Sequence, residues 1–148
     1  MTSFLRATTV TRKGTATGSV ALTAYSGDPA NGGTLITSKT IDPCATATSF
    51  SYQTVNASKT VRSCSNITLQ NVTINAPATL TVVASGNINV QNVTVNVGST
   101  LILNAVNNIT LQDITVVSGA TLILQAWGQT NIGTGFDIQP GANFQIIP

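Results

Sequence analysis

The chain has 148 residues, of which 42% are hydrophobic and only 7% are charged. An average soluble domain is about 25% charged, so neutral Thr, Ser and Asn side chains must cover most of this surface. The formal net charge is +2, His and Glu are absent, and all four acidic side chains are aspartates. Because acid–base catalysis mostly uses His, Glu, Asp, Lys or Cys, the composition predicts a non-enzymatic protein with no catalytic residues, no metal site and no cofactor.

Residues 1–62 are the first predicted domain, a small antiparallel β unit. Candidate strands lie at 4–12, 19–25, 34–41 and 49–55, with the turn-rich segment SGDPANGG at 26–33. All six basic residues precede position 63. They are scattered and have no aromatic residues interleaved with them, so we do not expect nucleic-acid binding.

Two cysteines, Cys44 and Cys64, flank the end of this unit. An even number of cysteines in a charge-poor chain indicates a disulfide and an oxidising compartment, and the alternative is two buried free thiols. We expect a Cys44–Cys64 bond that fastens the first domain to the rest of the chain. The chain contains no apolar run of the length that a membrane span requires, so no span is expected.

Residues 63–148 are the second predicted domain and contain a sequence repeat with a period of about 21 residues. Its copies are NITLQNVTINAPATLTVVA at 66–84, NINVQNVTVNVGSTLILNA at 87–105 and NITLQDITVVSGATLILQA at 108–126. A fourth copy, at 129–147, fits with one inserted residue near Gly135. Each copy has three short runs of alternating polar and apolar residues, which is typical of strands with one buried side. The predicted fold is all-β, a three-sided parallel β-solenoid of about four coils preceded by the small antiparallel β unit.

Several columns of the repeat hold the same residue type in successive copies. A corner column holds Pro77, Gly98, Gly119 and Gly141, where the chain must turn. Two amide columns consist of Asn66, Asn87 and Asn108, and of Asn71 and Asn92 followed by Asp113. Stacked amides can hydrogen-bond along the solenoid axis as structural ladders. The alternative is a row of Ca²⁺ ligands, for which a single aspartate supplies too little charge.

The segments SNITLQNVTINAPATLTVVASGNINVQNVTV and GFDIQPGANFQIIP resemble the β-solenoid repeats of secreted and surface proteins of Bacteroidota. The resemblance covers about residues 52–148, and the matching closing positions are Gly135, Phe136, Gly141, Ala142 and Phe144. It implies an extracellular or cell-surface location and a stalk-like or adhesive role. It implies no activity that can be assigned to a residue.

The function we expect is that of a structural subunit that self-assembles head to tail into an extracellular filament. The sequence stops at Pro148, directly after the last coil and without a polar cap, so we expect an open coil with free strand edges. A basic first half and an acidic second half suit contacts between successive copies. The expected contact residues are Val83, Ile102 and Ile123 on the third run, where the chain's own first half is an alternative cover, and Phe144, Ile146 and Ile147 in the last coil.

The alternative function is an extracellular binding module, an adhesin or a carbohydrate- or ice-binding protein, that uses outward Thr and Asn rows. The threonine rows are Thr73, Thr94 and Thr115, and Thr79, Thr100 and Thr121. A sugar site usually shows exposed aromatic residues, whereas Trp127 is expected to pack at a coil boundary. A carboxylate pair for polysaccharide cleavage is not expected, because Asp113 and Asp137 fall in different columns of the repeat.

Overall fold

The structure is a computed structural model that describes residues 20–26, 34–41 and 47–148, with side chains described from residue 47 onward. Every regular element in these ranges is a β-strand, and none of them contains a helix long and apolar enough to cross a membrane. The strands are β1 (Val20–Ser26), β2 (Thr34–Ile41), β3 (Ser49–Val55), β4 (Lys59–Ser63), β5 (Ile67–Ile74), β6 (Thr79–Ala84), β7 (Ile88–Val95), β8 (Thr100–Ala105), β9 (Ile109–Val116), β10 (Thr121–Ala126), β11 (Thr130–Ile132), β12 (Phe136–Ile138) and β13 (Asn143–Ile147).

Strands β1 and β2 form an antiparallel hairpin within a first compact unit, Met1–Cys44. Val20 lies opposite Ile41 at one end and Ser26 opposite Thr34 at the other. Two strands of the predicted antiparallel unit are therefore confirmed. The predicted strand at 4–12 and nearly all of the predicted turn at 26–33 lie outside the described residues.

The second unit, Ala45–Pro148, is a parallel β-solenoid of about five turns. One sheet stacks β4, β6, β8, β10 and β13, and the other stacks β3, β5, β7, β9 and β11, with β12 also paired to β9. Leu80 pairs with Leu101 and Leu101 pairs with Leu122, each partner lying one period of the repeat further along the chain. The predicted period and the predicted parallel stacking are confirmed.

A bend in the second sheet gives the solenoid its three sides. Asn71 and Asn92 lie at the bend with φ of 55° and 52°. The pairing of β5 with β7 skips these two residues and resumes at Val72. One left-handed residue shifts the alternation, so Leu69 and Val72 both point inward although they are an odd number of positions apart. In the copies at 66–84, 87–105 and 108–126, the first two predicted runs are thus the two arms of one bent strand.

The core is a stack of aliphatic side chains inside this coil. The inward leucines of the third run, Leu80, Leu101 and Leu122, all have an exposed fraction of 0%, as predicted. Removing one such side chain from water stabilises the fold by about 1.5–3 kcal/mol. No coil can bury its inward side alone, so this stabilisation depends on the neighbouring coils.

The predicted corner column is confirmed by backbone geometry. Gly98, Gly119 and Gly141 have φ of 71°, 76° and 88°, which glycine adopts without strain. The N–H of Gly98 donates to the carbonyl of Gly119, and the N–H of Gly119 donates to that of Gly141, both across 3.0 Å. The corner therefore continues the hydrogen bonding of the sheets from coil to coil.

The solenoid begins earlier than predicted, which corrects the domain boundary at residues 62 and 63. Strands β3 and β4 pair in parallel with β5 and β6, so residues 49–63 form a fifth coil and not part of an antiparallel unit. Val55 pairs with Ile74, whereas Lys59 pairs with Leu80, so the first corner is two residues shorter than the next one. Because of this shorter corner, the first coil does not follow the spacing by which the repeat is recognised in the sequence.

The residue inserted in the last coil is confirmed. Ile132 pairs with Leu111, which lies one period of the repeat earlier. Phe136 pairs with Ile114, which lies one period plus one residue earlier. The extra residue falls between β11 and β12, beside Gly135 with φ of 71°. The bent strand of earlier coils is therefore divided into two short strands here.

Candidate interaction surfaces

The first predicted asparagine ladder runs along one corner and bonds side chain to backbone. The Oδ1 of Asn66 accepts the backbone N–H of Asn87 across 2.8 Å. The Oδ1 of Asn87 accepts from Asn108 across 3.1 Å, and that of Asn108 accepts from Gln129 across 2.8 Å. Each Oδ1 acts as a hydrogen-bond acceptor within the fold, which supports a structural role for this column.

A second ladder at the bend bonds side chain to side chain, and a third was not predicted. Asn92 Nδ2 donates to Asn71 Oδ1 across 2.6 Å. At the next corner Asn96 Nδ2 donates to Asn75 Oδ1 across 2.7 Å, and Asn75 Nδ2 donates to Asn56 Oδ1 across 2.9 Å. The shorter first corner, which places Asn56 only 19 residues before Asn75, obscured this third column in the sequence.

The last coil leaves inward-facing apolar side chains open to solvent. Ile132 pairs with Leu111 and Ile146 pairs with Leu124, so both isoleucines continue core columns. Leu111 and Leu124 are completely buried, whereas Ile132 and Ile146 have exposed fractions of 46% and 51%. Within the described residues no further coil covers this end of the stack.

The other predicted contact residues of the last coil have different surroundings. Phe144 pairs with Leu122, is half-buried and packs edge to face against Phe136, with 5.4 Å between the ring centroids. Ile147 pairs with Gln125, points outward and has an exposed fraction of 39%. Ile132 and Phe136, which the sequence did not single out as contact residues, thus join Phe144 and Ile146 in one apolar end surface, hereafter the last-coil surface.

The predicted apolar face on the third run is less continuous than the sequence indicates. Ile102 and Ile123 pair in register and are half-buried. Val83 is also half-buried but pairs with Asn104, and so belongs to a different column. The structure therefore brings only two of these three residues into one row.

The first coil carries polar residues at positions that are apolar in later coils. Lys59 pairs with Leu80 and Gln53 pairs with Val72, yet both are exposed. The Lys59 ammonium lies 4.8 Å from the centroid of the Phe50 ring, which is a cation–π contact. The two ends of the solenoid thus differ at these two positions. The apolar residues Phe50, Val55 and Val61 of the first coil are buried, whereas Ile132 and Ile146 of the last coil are about half exposed.

The four charged side chains of residues 47–148 are also separated by sign. Lys59 and Arg62 lie in the first coil, and Asp113 and Asp137 lie on β9 and β12 near the other end. Asp137 pairs with Thr115, so the two aspartates occupy different columns, as predicted. The described residues contain no group of three or more His, Cys, Asp or Glu side chains that could hold a metal ion.

Trp127 is exposed, and the expectation that it packs at a coil boundary is wrong. Its exposed fraction is 82%. It lines an open hollow of about 160 Å³ together with Val106 of the same corner and with Val83, Asn104 and Gln125 of the neighbouring strands. Nothing in the sequence pattern indicates this hollow, because the corner residues one period apart change from Ser85 to Val106 to Trp127.

Cys64 is disulfide-bonded. The chain's other cysteine, Cys44, lies outside the described residues. The Cys44–Cys64 pairing therefore stays a prediction.

Comparison with models of protein families, with curated proteins and with solved structures finds no match to this chain. The resemblance to repeat segments of Bacteroidota stays a prediction, and functional inference depends on the surfaces of the solenoid itself.

Proposed function

We propose that the chain is a non-enzymatic structural subunit of an extracellular filament, in which the last coil of one copy stacks on the first coil of the next. The observation that carries this proposal is the last-coil surface. Ile132 and Ile146 continue core columns but are about half exposed. Apolar side chains arranged in the register of a core, with no coil above them, are suited to accept another coil.

The backbone of the last coil supports the same contact. β13 has β10 as its neighbour on one side, and β11 has β9, so each presents a second edge with N–H and C=O groups. Such an edge is a template for a strand of another chain. A parallel strand added there would lie about 4.8 Å away and would continue the stack.

The distribution of charge favours head-to-tail order. Lys59 and Arg62 at the first coil are opposite in sign to Asp137 at the last coil. Attraction between exposed charges mainly orients the partners and increases the association rate. Two last coils facing each other would bring like charges together, so this order is disfavoured.

An extracellular location is supported by the disulfide of Cys64, because disulfides persist mainly in oxidising compartments. The low charged fraction and the many Thr and Asn residues fit the same setting. The proposal assigns no catalytic residue.

Sedimentation velocity of a lysine variant tests the proposed joint. Ile146→Lys places a charge on the edge strand and on the last-coil surface, which should prevent assembly while leaving a folded monomer. Val97→Lys is the matched control, since Val97 is exposed at a corner and its side chain is not part of the last-coil surface. Assembly that Ile146→Lys leaves unchanged would show that the last coil is not the joint.

A second candidate function, an extracellular binding module, is favoured by two aligned rows of threonines, of which the shorter consists of Thr79, Thr100 and Thr121. Thr54, Thr73, Thr94 and Thr115 pair in register on successive strands. Regularly spaced hydroxyl and methyl groups of this kind suit a repetitive ligand such as ice. Thermal hysteresis in a solution of the wild-type protein that is lost on Thr94→Lys substitution would support this candidate. A wild-type solution without thermal hysteresis would exclude it.

A further inference from the structure

The hollow beside Trp127 has two unlike walls on the side of the solenoid. Val83, Asn104 and Gln125 form one outward column, since Val83 pairs with Asn104 and Asn104 pairs with Gln125. Val106 and Trp127 form the other wall, at the corner that follows β8 and β10. The small residues Ala84 and Ala105 also line the hollow and leave room between the two walls.

The indole of Trp127 is presented to solvent and not to the core. Among the described residues it is the most exposed large hydrophobic side chain, at 82%, and Val106 beside it is 50% exposed. An exposed aromatic ring offers a flat face with negative electrostatic potential, which attracts C–H groups that carry partial positive charge. Exposed apolar surface of this kind commonly marks a binding site.

The two amides of the hollow are not used by the fold. Gln70 and Gln91, which also lie one period apart, are joined by a side-chain hydrogen bond of 3.3 Å. The side chains of Asn104 and Gln125 form no hydrogen bond with any described residue, although these residues pair in register. Each amide can therefore offer two N–H donors and a carbonyl acceptor to a ligand.

The hollow carries no charged side chain, which narrows the class of ligand. Its lining consists of apolar residues, one indole and two neutral amides. The one cation in the same outward column, Arg62, pairs with Val83 at the end away from Gln125 and is not part of the lining. A ligand with an apolar C–H face and several hydroxyl groups matches both walls at once.

We propose that this hollow binds one ring of a neutral saccharide, with the C–H face of the ring on the Trp127 indole and its hydroxyl groups bonded to the Asn104 and Gln125 amides. The volume of about 160 Å³ suits a single ring. It is below the roughly 300–1,000 Å³ of sites that enclose drug-sized ligands. We therefore expect weak binding at a single site. The many sites of an assembly would increase the overall affinity.

Fluorescence titration tests the proposal directly, because Trp127 is the only tryptophan in the chain. The probes are the neutral tetrasaccharides of β-1,4-glucose, α-1,4-glucose, β-1,4-mannose and β-1,4-N-acetylglucosamine, each titrated to millimolar concentrations. The expected result is a saturable change in indole emission with at least one of them. The Ile146→Lys variant serves as the parent protein, so the outcome does not depend on filament formation.

Variants locate the binding on both walls of the hollow. Trp127→Ala, measured by isothermal titration calorimetry, should weaken binding by more than about tenfold. Asn104→Ala and Gln125→Ala should each weaken binding about threefold without lowering the melting temperature, because neither amide supports the fold. Val97→Ala, at a different corner, is the control and should bind as the parent does.

Three results would overturn the proposal. The first is that none of the four tetrasaccharides changes the emission or releases heat at millimolar concentration. The second is an emission that shifts with protein concentration alone, which would show that a second copy of the chain covers Trp127. The third is binding that survives both amide substitutions and Trp127→Ala, which would place the saccharide elsewhere on the solenoid.

Discussion

Asn92 donates a hydrogen bond from Nδ2 to Oδ1 of Asn71 across 2.6 Å, and both residues adopt a left-handed backbone conformation. The hydrogen bond and the left-handed conformation both depend on properties of asparagine. Asparagine tolerates positive φ better than most residues, and its short amide reaches the equivalent position in the next coil. The ladder therefore follows the bend that separates the first two sides of the solenoid.

Substitution at this bend should separate backbone strain from the loss of a hydrogen bond. Asn92→Val should lower the free energy of unfolding by about 2 kcal/mol, because a β-branched residue is strained at positive φ. Asn92→Gly removes the same amide without strain and should cost less than about 1 kcal/mol. Urea denaturation measures both. Equal stabilities of the two variants would mean that the bend does not require this conformation.

The register of the third run can be tested with two adjacent residues. Leu101 is completely buried and Ile102 is half-buried on the outward side. Leu101→Asp should prevent folding, because it buries an unpaired charge. Ile102→Asp should yield a folded, soluble protein, as judged by circular dichroism and a cooperative melt. A native-like melt of Leu101→Asp would contradict the register.

The buried hydroxyl of Ser99 should contribute almost nothing to stability. The single proton of its Oγ has two acceptors within reach, the carbonyl of Asn96 at 2.6 Å and that of Ile74 at 3.0 Å. Both carbonyls already accept backbone N–H groups, from Ser99 and Asn96 respectively. Ser99→Ala leaves no acceptor unsatisfied, so the free energy of unfolding should change by less than about 0.5 kcal/mol. A loss above about 1.5 kcal/mol would show that the hydroxyl is needed.

The predicted disulfide can be checked by thiol counting and peptide mapping. A bond between Cys44 and Cys64 would close a loop of about 20 residues and stabilise the fold by roughly 3 kcal/mol in the chain-entropy model. Denatured, unreduced protein should then contain no reactive thiol, and one disulfide-linked peptide should hold both cysteines. Two free thiols in that sample would exclude the bond.

The core and the middle coils of the solenoid follow directly from the sequence. Leu80, Leu101 and Leu122 recur at one spacing within alternating runs, so their inward direction could be predicted. The glycines at the corner were recognisable for the same reason, since Gly98 and Gly119 lie one period apart. The periodic pattern therefore predicts the features that recur in successive coils, such as inward leucines and corner glycines.

The first coil of the solenoid and the exposed hollow could not be predicted, because they depart from the repeat. The first coil has a shortened corner and carries Gln53 and Lys59 in columns that are apolar elsewhere. Trp127 occupies a corner position where no residue type recurs, so its exposure depends on the surrounding packing and not on a pattern. The last-coil surface and the hollow beside Trp127 both lie where the repeat is irregular or incomplete.

Electron cryomicroscopy of the wild-type protein across a concentration series tests the central claim most directly. The expected result is unbranched filaments that lengthen with concentration and show an axial repeat of about 4.8 Å, the spacing of stacked parallel strands. Head-to-tail contacts that do not close on themselves predict such continued growth. Particles that remain monomeric, or that stop at a closed dimer, at the highest concentration would contradict the proposed filament.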